Sequence, residues 1–305
     1  EGAGVVLLES LEHAKARGRD QLGTMGAGNH FVEIDVVDSI FDEGEAARLG
    51  IFKDQVVILI HTGSRGLGHQ IATDYIRVMM KAMLKYGIIL PDRELACAPF
   101  LSPEGQAYFD AMAGAANFAW ANRQMITHEV RRAWKNILGD AVGDLNILYD
   151  VAHNIAKIEE YFIDGKHKKV IMHRKGATRA FGPGHKDVIE EYGESGQPVL
   201  IPGSMGSSSF VLAGTVESSK EAFGSSCHGA GRRMSRHEAK REIIGSELKQ
   251  ELEGEGIHMR IGSIGGLAEE APQAYKDVKQ VVNVVHGAGI AKKIAELKPV
   301  AVIKG

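Results

Sequence analysis

A set of short β-branched runs, each closed by glycine or proline, constrains the fold of this chain more than any other feature. "QVVILI" (55–60), "KKVIMH" (168–173), "PVLIPG" (198–203), "SSFVLAG" (208–214) and "PVAVIKG" (299–305) are all of this kind. Branched side chains fill a pleated surface, and Gly and Pro end the pairing, so these runs predict buried strands. Glycine supplies the punctuation: 37 of 305 residues, set in short loops and not in a low-complexity tract. Helical periodicity is expected over 69–86, over 103–138 with room for breaks, over 235–251 and over 287–296. There is neither a repeat at solenoid spacing nor a Pro/Ser linker. The pattern predicts an α+β fold, a central β-sheet core flanked by helices with an interrupted N-terminal edge, in one domain over residues 1–305.

Charge and cysteine content remove several classes of function. A formal net charge of -3 and an isoelectric point near 6.5 exclude a polybasic chain that holds nucleic acid by bulk electrostatics. A polyanion must be met by a few placed arginines. Cys97 and Cys227 cannot make a disulfide framework, and no window reaches the length of a membrane span. These features predict a soluble, cytoplasmic protein without a membrane partner. The chain begins at Glu1 without a methionine and is read as a fragment of something longer.

Four loops share one form, a histidine at or beside a strand end with Gly, Asn or Ser as neighbours: "GTMGAGNHFVEI" (His30), "LIHTGSRGLGH" (His61), "YDVAHNIAKIE" (His153) and "SSCHGAGR" (His228). Small neighbours let a ligand approach the backbone, and amides can hydrogen-bond a phosphate. Neutral imidazole suits Zn, Mn, Fe, Ni or Cu, so the pattern does not choose the metal. Familiar nucleotide motifs fail. There is no G-x-x-x-x-G-K-[ST] loop, and none of the three Gly-Ala-Gly triplets extends to G-x-G-x-x-G. "THEV" and "RHEA" lack a zincin's second histidine, and "FIDGK" has the wrong order for a lysine nucleotidyl-transfer ligase. If a nucleotide is transferred here, histidine is the obvious candidate nucleophile.

Taken together, "LGTMGAGNHFVEI", "HTGSRGLGHQ", "DVAHNIAK", "HRKGATRAFGPG", "PVLIPGSMGSSSFVL", "SSCHGAGRRMSR" and the terminal "VIKG" resemble, in family order over residues 21–305, the RtcB family of RNA-splicing ligases. The resemblance implies a deep metal- and nucleotide-binding cleft and a GTP- and Mn2+-dependent ligase. Such an enzyme joins an RNA 3'-phosphate or 2',3'-cyclic phosphate to a 5'-hydroxyl, with split tRNA halves or broken RNA as substrate and an archease-like activating protein as a further partner. It implies three steps: guanylylation of a histidine by GTP, transfer of GMP to the RNA 3'-phosphate, and attack by the 5'-hydroxyl.

Residue by residue, the resemblance implies that His228 is the guanylylated histidine, with Gly229, Ala230 and Gly231 letting amides face the phosphate near a helix start at about Ser235. His30, His61 and His153 match imidazole ligands of a two-manganese site. Asn29 and Asn154 match positions at the nucleotide phosphates, and Glu33, two residues after Phe31, can accept from guanine N1 and N2. Ser209, Tyr275 and Lys304 match the rest of the guanine and ribose pocket, and Pro202, Gly203, Ser204 and Met205 its wall. Arg65, Arg232 and Arg236 match arginines along the RNA-phosphate path. "HRKGATR" (173–179) is family-like without an assigned role, and Cys97 reads as a buried structural thiol.

The chain departs from the family in one respect. An upstream Asp-x-Cys segment is expected to complete the metal sites, and residues 1–20 do not supply it. The resemblance therefore implies an incomplete metal cage here, with the family's N-terminal segment lacking. Two other readings stay open on the residues alone: a hydrolase whose histidine-bound metals activate water on a phosphoester or amide, and a non-catalytic RNA- or nucleotide-binding module.

Overall fold

The computed structural model describes residues 22–92, 95–139 and 142–305, so the expectation about residues 1–20 lies outside the described residues. The chain divides into two compact units: one takes in residues up to Gly26 together with Thr62–Asn146, the other Ala27–His61 with Ile147–Gly305.

The smaller unit is built on two helices, Arg65–Lys85 and Pro103–Leu138. Leu67 and Ile71 of the first meet Ala111, Ala115 and Phe118 of the second, an i, i+4, i+7 stripe that buries one face. The 36-residue helix runs unbroken. It starts where Ser102 accepts from the Gly105 N–H with Pro103 in the first turn, and stops at Gly139 at φ 68°.

Among the described residues, the main sheet of the larger unit has six strands, β1 (Phe31–Ile40), β2 (Val56–His61), β6 (Pro198–Ile201), β7 (Ser209–Gly214), β9 (His258–Ile261) and β10 (Ala291–Lys304), with the path β2-β1-β10-β7-β6. β9 runs parallel to the end of β10, from Ala301↔His258 to Lys304↔Ile261. All other pairings in this sheet are antiparallel. β7 is buried on both faces: Phe210 and Leu212 enter one apolar cluster, Val211 and Ala213 another, as a period of two requires. Val278, Val282 and Val285, on one stripe of the helix Val278–Gly287, close the first cluster over Val199, Ile201 and Leu212. Leu248 and Leu252 of the helix Gly245–Gly254 pack on Phe31, Met205 and Val302. Each such side chain contributes about 1.5–3 kcal/mol on burial.

Two small ladders complete this unit. β3 (Asn154–Ile163) and β4 (Lys166–Lys175) form a hairpin, and β5 (Ala177–Arg179) pairs with β8 (Ser225–Cys227). The "IDGK" of the rejected ligase motif is the hairpin turn, with Asp164 at φ 52° and Gly165 at φ 75°, the two left-handed residues that a type I′ turn demands.

The architecture is the expected α+β one, and each of the five predicted runs overlaps a strand, with Gln55, Pro202, Gly203, Ser208 and Gly305 falling just outside. Two helical expectations are corrected. Residues 235–251 divide into Arg236–Glu242 and Gly245–Gly254, because Ile243 and Ile244 are extended. The stretch expected as a helix over 287–296 is not one: a preceding helix ends at Gly287 and β10 begins at Ala291. "AKKIAEL" has helix-forming residues, but pairing with β1 on one edge and β7 on the other overrides local preference. Among the described residues no helix is long and apolar enough to cross a membrane.

Candidate functional site

Three strand ends and one loop carry the four histidines. His30 precedes β1, His61 ends β2 opposite Phe31, His153 immediately precedes β3, and His228 immediately follows β8. Their rings form a chain of neighbours. Centroids lie 6.1 Å apart for His30 and His61, 5.2 Å for His61 and His153, and 4.1 Å for His153 and His228. His61 Nε2 and His153 Nε2 approach to 3.0 Å. Burial, then the neighbouring His228, holds His153 down to about 4, and burial also lowers His228. Both rings are therefore neutral near pH 7, the form that ligates a metal or attacks phosphorus.

This donor set fits a cation in part. Two nitrogens each about 2.0–2.1 Å from one ion stand ~3.0 Å apart at a right angle, the separation of the His61–His153 pair. The buried Nδ1 atoms of His153 and His228 have no hydrogen-bond partner of good geometry. Among the described residues, no set of three His, Cys, Asp or Glu is already arranged to hold an ion.

Beside His228 opens a cavity of about 180 Å³. Asn29, Phe31, Pro202, Gly203, Ser204, Met205, Gly229, Ala230, Gly231, Tyr275 and Lys304 line it, together with His61 and His228. Three residues expected in the pocket lie off its wall. Glu33 is buried in β1, with Oε1 unpartnered and its carboxyl raised by burial and by Asp35 while Lys304 opposes the shift. Ser209 is buried, and its Oγ accepts from the Gly203 N–H at 3.0 Å, so it fixes the wall turn. Asn154 sits exposed at the hairpin base opposite Lys175. Burial brings Lys304 down to about 8 against the pull of Glu270 and Glu33.

The unassigned "HRKGATR" segment holds His228 in place. The His228 N–H donates to the Gly176 carbonyl, and Gly176, at φ 67°, approaches the imidazole so closely that a Cβ would lie 3.4 Å from Cε1. Two residues earlier, Arg174 is buried and pairs bidentately with Glu159, at 2.8 and 2.9 Å. It also donates to Ser225 Oγ and to the Phe223 carbonyl. The same guanidinium thus clamps the strand that leads into His228.

The arginines divide. Arg232 spends its donors inside the protein, on the Met234 and Glu269 carbonyls, the Tyr275 hydroxyl and Glu270. Arg236 reaches Glu270 at 3.3 Å and stays exposed. Arg65 belongs to the smaller unit, where its Nε donates to Thr24 Oγ1. The helix expected near Ser235 starts there, with Ser235 and Glu238 forming a capping box. Cys97 is half-buried rather than buried.

The model of the family described as tRNA-splicing ligase RtcB matches residues 5–305. The chain belongs to the RtcB family. It is 58% identical over 297 residues to the tRNA-splicing ligase RtcB of Pyrococcus horikoshii, covering 96% of this chain and 34% of that protein. The proteins of the same name from Thermococcus kodakarensis and Archaeoglobus fulgidus are 57% and 56% identical over 96% of this chain, and 61% of each is covered. The chain thus spans between about a third and three-fifths of the length of these relatives.

The residues that the RtcB resemblance leaves out are buried carboxylates. Glu270 lines the cavity and takes hydrogen bonds from Tyr275, Arg232 and Arg236. Asp35 lies fully buried on the same strand as Glu33, neither oxygen partnered, its carboxyl pushed up to about 7 by burial. The one signal for Asp35 is its spacing: "FVEIDV" puts Phe31, Glu33 and Asp35 on one face of β1.

Proposed function

We propose that this chain carries the guanylyl-transfer core of a cytoplasmic RNA ligase that joins RNA 3'-phosphate or 2',3'-cyclic phosphate ends to 5'-hydroxyl ends, in tRNA splicing and RNA repair. The observation that carries the reading is the position of His228, neutral, on the wall of a cavity that also holds Phe31, Tyr275 and Lys304, with His153 4.1 Å away. His228 would attack the α-phosphorus of GTP, forming a P–N bond as pyrophosphate leaves. The guanylyl group then passes to the RNA 3'-phosphate, and the RNA 5'-hydroxyl displaces GMP.

Glu33, buried behind the cavity wall with Oε1 unpartnered, is the proposed acceptor for the guanine N1 and N2 donors once the base is seated. Tyr275 and Lys304 would close around the base and ribose, with Ser209 holding the Pro202–Met205 wall. Asn29, Asn154 and the Gly229–Gly231 amides would meet the phosphates. His61 and His153, with His30 as the third imidazole, would hold Mn2+, two ions in the complete site. A divalent cation there neutralises phosphate charge and polarises a phosphoryl oxygen. Arg236 and Arg65 remain the arginines proposed for RNA phosphates, while Arg232 serves the pocket wall. RNA is the proposed substrate, with an archease-like activator as a further partner.

Incubation with α-labelled GTP and Mn2+, followed by denaturing electrophoresis, tests this. The expected result is an adduct that survives denaturant, is lost in acid and is absent from His228→Ala, which still binds GTP. A metal-dependent hydrolase would form no adduct and would cleave a phosphoester, and a binding module would do neither.

A further inference from the structure

The β3–β4 hairpin grows directly out of the histidine cluster. Asn154 follows His153, and across the ladder Lys175 precedes Gly176, whose carbonyl holds His228. Paired over ten residues from Asn154↔Lys175 to Ile163↔Lys166, the ribbon is about 30 Å long. Its two faces differ. Glu159, Tyr161 and Arg174 face the protein and are buried.

The opposite face carries Ile158, 51% exposed, and Phe162, 68% exposed. The cross-strand neighbours of that face are His173, Ile171, Lys169 and His167, of which all but Ile171 are exposed. Phe162 and His167 meet edge to face with ring centroids 5.3 Å apart. Lys169 and Lys175 lie on this face, in a chain whose net charge is -3, while Lys157, Lys166, Lys168 and Arg174 alternate to the other. Glu160 is the acidic residue on this face, and it is flanked by His167 and Lys186.

A solvated aromatic among cations, on an extended ribbon, is the chemistry that takes unpaired nucleic acid: bases stack on rings and phosphates meet lysines. We propose that the solvent face of the β3–β4 hairpin seats the single-stranded RNA segment leading to the 3' end, with Phe162 and His167 taking a base and Lys169 a phosphate. This rests on the RNA-ligase reading, which supplies the substrate. Charge complementarity and continuity with the histidine cluster select RNA over a protein partner.

The test uses the full chain, with Phe162→Ala, Lys169→Gln and the double variant. Binding of a 3'-phosphorylated RNA of roughly 15 nucleotides and of a dinucleotide is followed by fluorescence anisotropy across salt, alongside labelling by GTP. Phe162→Ala should weaken the long RNA roughly 5- to 100-fold with the salt slope unchanged. Lys169→Gln should reduce the slope by ~0.7. Dinucleotide affinity and GTP labelling should match the unaltered chain, since neither residue belongs to the nucleotide pocket, and circular dichroism confirms that the exposed substitutions leave the fold intact.

Equal affinity of the double variant and the unaltered chain for the long RNA would overturn the proposal. So would a change of oligomeric state by light scattering with RNA affinity preserved, which would make the face a contact between copies. If the unaltered chain forms no GTP adduct while the variants still lose the long RNA, the ligase reading falls and the RNA surface stands.

Discussion

Replacing Arg174 by methionine keeps most of the side-chain volume and removes the guanidinium that joins the hairpin to β8, the strand that precedes His228. Arg174 and Glu159 have side chains 1% and 2% exposed. Burial pushes the Glu159 carboxyl up, but hydrogen bonds from Arg174 and Tyr161, with the charges of Arg174 and Arg179, outweigh it and bring it to about 2. From an ordinary value near 4.5, that displacement corresponds to about 3 kcal/mol favouring the ionised, folded form. Loss of one partner of a buried pair costs about 3–5 kcal/mol. Arg179, 2.6 Å from Glu159 Oε1, compensates in part, so the lower end, ~3 kcal/mol, is expected.

Thermal unfolding should then shift down by ~6–12 °C. Because the folded pKa of Glu159 is depressed, its contribution is present above about pH 4.5 and fades as pH falls towards about 2. The variant should therefore differ most from the unaltered chain near neutrality and least in acid. Adding Glu159→Gln removes the stranded charge, so the double variant should lose less than the two singles summed. A loss under ~1 kcal/mol at pH 7, or strict additivity, would refute the argument that the pair acts as one buried unit.

The other expectations follow the same chemistry. Asp35→Asn should raise the melting temperature by several degrees at pH 8 and little at pH 4, because the folded carboxyl is raised to about 7 and the penalty of ionising it grows with pH; calorimetry showing no pH dependence of the gain would contradict this. In the metal-free chain, stability should be full above about pH 6.5 and decline towards about pH 4, as unfolded His153 takes up a proton that the folded ring refuses. His153→Gln should flatten that window in acid titrations followed by circular dichroism. Glu33→Gln should erode discrimination between GTP and ATP by about 10-fold or more in labelling rates, since an amide cannot accept from both guanine donors; unchanged discrimination would place base reading elsewhere.

Local chemistry made the strands and the four histidine loops legible. Val- and Ile-rich runs ending in Gly or Pro need no partner to be recognised, and small residues around an imidazole advertise approachable backbone. The strand Ala291–Lys304 was opaque for the opposite reason: Ala, Lys, Glu and Leu favour a helix, and the pairing that decides otherwise comes from Phe31–Ile40, far away in sequence. Lys304 and Tyr275 entered through family resemblance alone, since a solvated lysine and a packed tyrosine look the same in sequence. Glu270, Asp35 and the Glu159–Arg174 pair were hidden because burial makes a carboxylate consequential, and burial belongs to the tertiary fold. "HRKGATR" was visible as a pattern, but its task of carrying Gly176 past the His228 ring emerges from backbone geometry.

The long strand β10 has a consequence for the birth of the protein. It pairs Ile303 with Val32, and among the described residues no other strand occupies the edge of β1 that it fills. At about 5–20 residues per second, a ribosome takes roughly 15–55 s to travel from one partner to the other. During that interval β1 carries Phe31, Glu33 and Asp35 with one ladder open, a template for any stray strand. Burial is what raises both carboxyls, so on that hydrated strand Glu33 and Asp35 keep the ordinary acidity of a carboxylate, and their charge opposes stray pairing until β10 arrives.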